Sequence, residues 1–373
     1  MSLNATATPG YSFAASTAVQ SRESSHLYPY HDAATAAALI ATAHALVTHG
    51  KGIYATDETV DGIHARLTAA AASAPPAYSD AQNRDRRRRW RECLYESLPT
   101  DTISGVILYH ESLIDFQLAP VLVARGIIPG VRADTDAHPL PISPLEPATQ
   151  GLDDLLPRLQ AAHAAGARFT KWRAPILCNA ASLPSPAALE AQAESLARFA
   201  AISQQAGLVP IVEPDVDFAE DADLARSVAV HTDIIAQIYA RCAKYGVLLE
   251  GTLIKPSFVQ PGLKHPSRAT TSVDDIGRAT AIVLARAVPV AVPGVVFLSG
   301  GLSDADAIAY LDATNRAAQA LALRLPPLSF SFGRGLQGDA MVKWVAGDEK
   351  GAKDAFEKRA ALCSKAAKGE LTK

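Results

Sequence analysis

The stretch EGTLIKPS, residues 250–257, has the composition of a buried strand interrupted by a charge. Thr252, Leu253 and Ile254 suit a parallel strand covered on both faces, where runs are continuously apolar, and Pro256 stops the ladder. Lys255 stands between them. Two readings of that ammonium compete. It is either a lysine that lays its methylenes on the core and snorkels its nitrogen into water, or an amine held partly out of water to attack a carbonyl. The rest of the chain has to decide between them.

Seven other short apolar runs read as strands, at residues 52–56, 105–109, 127–133, 168–172, 209–212, 295–298 and 328–332, with 251–254 sixth in order. Between most of them lie Ala/Leu-rich segments with helical periodicity: 113–125, 152–165, 186–206, 224–245, 273–287, 304–320 and 336–345. Several open on capping residues such as Ser185 and Ser303. Strand and helix in alternation predict an α/β domain with a parallel sheet, and a count of eight favours a closed (β/α)8 TIM barrel over an open doubly wound sheet. The barrel is expected as a single domain over residues 31–345. A mobile N-terminal segment over 1–30 and a helical or mobile C-terminal tail over 346–373 flank it. A polar insertion at 71–91 interrupts the first strand–helix unit. It carries RDRRRRWR, residues 84–91, read as a solvated basic helical face leading into Cys93 and Leu94.

Composition excludes several partners. At 373 residues, 49% of them hydrophobic, the chain can fill a core of this size. A formal net charge of −3 gives no global attraction to nucleic acid or to anionic membranes. The longest Ala-rich stretch, 33–47, contains His44 and is too short to span a bilayer. Cys93, Cys178, Cys242 and Cys363 form no CxxC pair, which points to a reducing compartment and a cytoplasmic protein. Residues 1–30 lack the apolar stretch of a secretory signal, and their Ser, Thr and Ala content is only a weak organelle-targeting signature. No HExxH motif occurs and no acidic or histidine cluster has metal-ligand spacing, so neither a metal nor a cofactor is expected.

Position carries the functional signal. In a barrel the C-terminal ends of the strands line the active site. Those ends read Asp57 and Glu58, His110 and Glu111, Arg132 and Asp134, Lys171 and Arg173, Glu213 and Asp215, Lys255, then Ser299 with Gly300 and Gly301, and Gly333 with Arg334. So many charges at one mouth make an ionic cluster too costly to be mere filling. The two glycine-containing ends fall where barrels commonly hold phosphate, since glycine lets backbone N–H groups approach oxygens and Arg334 adds a bidentate contact. An amine, a second amine, carboxylates and a phosphate clamp suit Schiff-base chemistry: a lysine adds to a ketone, loses water, and the iminium ion becomes the electron sink for carbon–carbon cleavage. Lys255 is then the nucleophile, Lys171 a second cation that stabilises charge on a substrate oxygen, and Glu213 and Asp57 the proton-handling carboxylates, in roles they could exchange.

Seven segments in chain order carry a resemblance: GKGIYATDE at 50–58, GVILYHES at 105–112, KWR at 171–173, VPIVEP at 209–214, EGTLIKP at 250–256, FLSGGLS at 297–303 and FSFGRGLQ at 330–337. Together they resemble the class I, Schiff-base fructose-bisphosphate aldolases. That family is a (β/α)8 barrel, usually a homotetramer, which cleaves fructose 1,6-bisphosphate to dihydroxyacetone phosphate and glyceraldehyde 3-phosphate without metal. The resemblance implies that Lys255 forms the Schiff base, Glu213 moves the protons, and Asp57 and Lys171 assist cleavage with Arg173 beside them. It implies that Ser299, Gly300, Gly301, Gly333 and Arg334 hold the ketose phosphate. It further implies that Arg66 and Arg132 border the distal one. The chain departs from the family's pattern at Thr59 and Gly62, each in place of a serine, and at Ala65, in place of a lysine. Arg132 stands where a lysine is usual, and no tyrosine follows Tyr310, although the family often ends on one that assists proton transfer. These departures predict a weaker grip on the distal phosphate. The alternatives are a Schiff-base aldolase for another sugar phosphate, or a weakly catalytic barrel kept as a binding or scaffold protein.

Overall fold

The computed structural model describes residues 28–71 and 78–371. Ten strands occur among them: β1 (Gly52–Thr56), β2 (Ile103–Leu108), β3 (Ile128–Arg132), β4 (Ala137–Leu140), β5 (Ser143–Thr149), β6 (Phe169–Ile176), β7 (Val209–Val216), β8 (Leu253–Ile254), β9 (Val295–Phe297) and β10 (Leu328–Phe332). Eight of them, all but β4 and β5, close into a parallel barrel in the order β1-β10-β9-β8-β7-β6-β3-β2. This is the (β/α)8 architecture expected from the eight apolar runs. Among the described residues no helix is long and apolar enough to cross a membrane.

Two apolar cores divide the strand residues by parity, because successive side chains point to opposite faces. Tyr54, Trp172, Val212 and Ile254 face outward into the large core beneath the helices. Ile53, Ala55, Phe169, Val209, Ile211 and Leu253 face inward into a smaller core at the barrel base. Helix α1 (Ala33–Leu46) closes that base, contributing Ala36, Leu39, Ala43 and Leu46 to the same inner cluster. The Phe169 ring fits there because Gly105 and Gly130 lack a side chain: a Cβ on Gly130 would lie 2.4 Å from the ring. Two residues further along, the same inward phase reaches Asp57, Lys171, Glu213 and Lys255. An apolar stopper therefore sits directly under a charged mouth.

The remaining elements differ from expectation in three places. The described part of the insertion at 71–91 is largely helical: α2 (Val60–Ala69) precedes it and α3 (Asp80–Tyr95) begins inside it, opened by a capping box at Ser79 and Gln82. Its basic run is solvated on one side, where Arg84, Arg88 and Arg89 are exposed, but Arg87 and Arg91 turn inward and are buried. A helix over 113–125 does not form. A π-helical turn (Glu111–Asp115) gives way to a left-handed residue at Gln117, and the short α4 (Ala119–Val123) has Pro120 in its first turn, which has no N–H to continue a preceding helix. Finally, β4 and β5 pair as an antiparallel hairpin outside the barrel.

The other helices are α5 (Leu155–Ala164), α6 (Pro186–Gln205), α7 (Leu224–Lys244), α8 (Val273–Ala287), α9 (Asp304–Ala320), α10 (Arg334–Val345) and α11 (Glu349–Ala366). Helix α11 lies in the region read as a tail and buries Phe356 and Cys363 in the outer core. Residues 1–27 of the expected N-terminal segment lie outside the described residues.

Candidate active site

Lys171 and Glu213 do not stand beyond strand ends as the sequence suggested. Strands β6 and β7 run on to Ile176 and Val216, so both residues are mid-strand and inward-facing. In register, Arg132 pairs with Lys171 and Arg173 with Glu213 across neighbouring strands. Lys255 follows β8 at once, and its backbone N–H donates to Val212 O at 2.8 Å, extending the ladder by one residue before Pro256 ends it.

The four inward residues meet. Lys171 Nζ lies 2.6 Å from Asp57 Oδ2, 3.2 Å from Glu213 Oε2 and 3.8 Å from Asp134 Oδ1. Lys255 Nζ lies 3.2 Å from Glu213 Oε1, its one ion pair among the described residues. Lys171, Glu213 and Lys255 are each 4% exposed. Burial opposes the charge on Lys171, yet Asp57, Glu213 and Asp134 outweigh it and hold the ammonium above its ordinary pKa. Burial likewise opposes ionisation of Asp57 and Glu213, and in both the two lysines win, keeping the carboxyls below the usual range. At Asp215 the balance reverses: burial raises its pKa against the pull of Arg173, which it meets at 2.7 Å.

The mouth has two lobes that share Asp57, Glu58, Arg173, Glu213 and Lys255. One, of about 440 Å³, adds Arg66, Ser299, Gly300, Gly301, Gly333 and Arg334. Here α10 begins at Arg334, so its N-terminal dipole and free N–H groups point at the cavity. Gly301 takes φ +74°, a conformation glycine adopts without penalty. Among the described residues neither the Arg66 nor the Arg334 side chain makes a hydrogen bond, Arg66 standing only in a 3.9 Å ion pair with Glu58, so two guanidinium groups face this lobe with donors unspent. The second lobe, about 340 Å³, adds Lys171, Arg132, Asp134 and Thr149. Arg132 is committed there, donating to Asp134 at 2.6 Å and to Thr135 O at 3.2 Å. Every catalytic and binding residue assigned from sequence therefore borders one lobe or the other, whereas His110 and Glu111, also read at a strand end, line neither, and Glu111 pairs with Arg87 at 2.6 Å. Among the described residues, no group of three His, Cys, Asp or Glu stands close enough to hold a metal ion.

Sequence reasoning missed two contributors. Ser331, inward on β10, lines the larger lobe with a buried hydroxyl that has no hydrogen-bond partner in the described structure. Its place two residues before Gly333 was the available signal. Arg91 of α3, 3% exposed, sits behind β1 and donates to Thr56 O at 2.9 Å and to Glu58 Oε2 at 2.8 Å. Its spacing three residues before Leu94 and one after Trp90 marks it as inward on the helix.

The comparisons agree with this architecture. The family model for the glycolytic class-I fructose-bisphosphate aldolases matches residues 38–373. Fructose-bisphosphate aldolase B of Ovis aries is 38% identical over 357 residues, covering 92% of this chain and 93% of its own. Fructose-bisphosphate aldolase 2 of Caenorhabditis elegans is 40% identical, covering 82% of this chain and 81% of its own. Among solved structures, fructose-bisphosphate aldolase from Plasmodium falciparum superposes with a TM-score of 0.84 at 33% identity, covering 92% of this chain and 97% of that one. With the match extending from within α1 to the last residue, and the barrel shared as well as the sequence, the chain belongs to the class-I fructose-bisphosphate aldolase family.

Proposed function

We propose Lys255 as the amine through which this lyase reversibly cleaves fructose 1,6-bisphosphate to dihydroxyacetone phosphate and glyceraldehyde 3-phosphate. The observation that carries the assignment is the asymmetry of the two buried amines. Lys171 is locked as a cation by three carboxylates, whereas Lys255 meets Glu213 alone. Attack by Lys255 on the ketose C2 begins with transfer of its ammonium proton to Glu213. Glu213 returns that proton to the carbinolamine hydroxyl, which leaves as water, and the nitrogen lone pair forms the iminium ion. The C4 hydroxyl then gives its proton to the regenerated carboxylate, the C3–C4 bond breaks into the iminium to give an enamine, and the aldehyde departs. Protonation of the enamine and hydrolysis release the ketose half. Lys171, anchored by Asp57, offsets negative charge on the reacting oxygens.

For binding, we assign the ketose phosphate to Ser299, Gly300, Gly301, Gly333 and Arg334 at the α10 N-terminus, with Arg173, Arg66 and Arg132 bordering the rest of the sugar. Reduction with borohydride in the presence of dihydroxyacetone phosphate should leave the adduct on Lys255, read by peptide mass spectrometry. An adduct elsewhere, or cleavage abolished by chelators, would sink the assignment.

The distal phosphate has fewer donors here. The Thr59 oxygen accepts from Gly62 N at 3.1 Å and keeps its O–H free to donate, but Gly62 offers no side chain and Arg132 is tied to Asp134. The kcat/KM values for fructose 1,6-bisphosphate and fructose 1-phosphate are therefore expected within about tenfold of each other; a preference of a thousandfold or so for the bisphosphate contradicts this. We further propose a homotetramer in the cytoplasm, as in the family, which light scattering of the eluted protein checks by a mass of four chains.

A further inference from the structure

Glu58 neighbours Asp57 in sequence but serves a different set of partners. Its Oε2 accepts from Arg91 at 2.8 Å and its Oε1 from the Gln337 side chain at 2.5 Å. Arg66 Nε stands 3.9 Å from Oε1, beyond hydrogen-bond distance, although the two groups carry opposite charge. The carboxylate is thus saturated by partners behind β1, and the Arg66 guanidinium remains turned to the lobe that also holds Arg334. Arg91 is the cation that makes this possible. It is 3% exposed, is held to β1 through Thr56 O, and has no route to the substrate itself.

We propose that Arg91 is a positioning residue that keeps Glu58 from capturing Arg66, and so keeps Arg66 free to bind the substrate's anionic end. Without Arg91, Glu58 Oε2 is a partly buried carboxylate oxygen lacking its donor, and the nearest cation is Arg66. A bidentate guanidinium–carboxylate pair forms there and removes Arg66 from the lobe. The inference rests on the assignment of this lobe to phosphate, and it extends that site to a helix outside the barrel.

Binding of inorganic phosphate, followed by titration calorimetry, tests it without turnover. Arg91→Gln is expected to weaken phosphate roughly tenfold and to raise KM for fructose 1,6-bisphosphate by a similar factor, with a smaller change in kcat. Adding Glu58→Gln to that variant removes the competing charge and should restore phosphate affinity to within about twofold of the parent. A loosened α3 would not be rescued in this way. Unchanged phosphate affinity in folded R91Q, or a loss that E58Q leaves in place, overturns the proposal. Should R91Q not accumulate as folded protein, Arg91→Lys replaces it. A lysine keeps the charge but cannot fork to both Thr56 O and Glu58, and roughly threefold weaker phosphate is expected, parental affinity being the contrary result. Borohydride trapping separates the two assignments. If the adduct forms on Lys255 of R91Q while phosphate affinity is unchanged, Arg91 loses its role and the Schiff base stands. If the parent forms no adduct, Lys255 loses its role and the phosphate titration still decides Arg91.

Discussion

At the end of β1 two buried ionic clusters diverge: Asp57 points inward to Lys171 and Glu213, while Glu58 points back to Arg91 and Gln337. The rear cluster is saturated. Both oxygens of Glu58 accept hydrogen bonds, Gln337 uses its amide nitrogen on Glu58 and its oxygen for Tyr54, and Arg91 also holds the Thr56 carbonyl. The inner cluster leaves one acceptor open: Lys171 hydrogen-bonds Asp57, but Glu213 Oε2 lies 3.2 Å from Lys171 Nζ without the alignment a hydrogen bond needs. Fully satisfied buried networks rigidify a structure, whereas a buried acceptor left without a donor suits a catalytic role. One strand end thus carries a fixed mount and a reactive group side by side.

Substitutions should separate these two characters. The largest effect is expected inside, where Glu213→Gln removes the proton carrier and should lower kcat by about 10²- to 10⁴-fold. A fall of less than about tenfold in steady-state cleavage would move the role to Asp57. Behind β1, Tyr54→Phe keeps the ring that packs on Phe356 at 4.8 Å but removes the donor to Gln337. It should cost about 1–2 kcal/mol of stability in urea unfolding and change kcat/KM only a few-fold; the reverse pattern would merge the clusters into one functional unit.

The most conditional effect, absent at neutral pH, concerns a neutral counterpart under β8. His231 is buried on α7, its Nε2 3.1 Å from Ser257 Oγ, two residues beyond Lys255. Burial lowers its pKa to about 4, against a weaker opposing pull from Ser227. Between its ordinary value of 6.5 and about 4 the unfolded chain binds the proton and the native one does not. Its contribution is therefore complete above pH 6.5 and lost as pH falls through that window, amounting to at most about 3 kcal/mol. His231→Gln should show a correspondingly shallower loss of urea midpoint over the same range. Parallel slopes would mean that His231 is charged in the native protein.

Much of the fold was legible because parallel strands covered on both faces are continuously apolar, as GIYAT at β1 is, and because helices separate them. The inner site was legible for the same reason: a lysine or glutamate in such a run has no place in an apolar core. What sequence could not supply was strand length, and so Lys171 and Glu213 read as end residues although β6 and β7 continue past them. The hairpin of β4 and β5 was hidden by Pro139, Pro144 and Pro147, which argue against strand pairing unless the strands are exposed, as these largely are. The rear cluster was misread for a different reason. A run of arginines reads as solvated unless one knows that Glu58 and Gln337, 33 residues before Arg91 and 246 after it, have acidic and amide groups waiting.

Barrel closure has a consequence for how the enzyme comes into being. Strand β1 finds its second neighbour only in β10, and the residues joining them are 278 apart at Ile53 and Ser331. During synthesis the wall stays open until almost the whole chain has left the ribosome, so Asp57, made early, waits for its lobe to be finished by Gly333 and Arg334. A chain that stops short of β10 therefore leaves both the wall and the lobe at Gly333 and Arg334 incomplete.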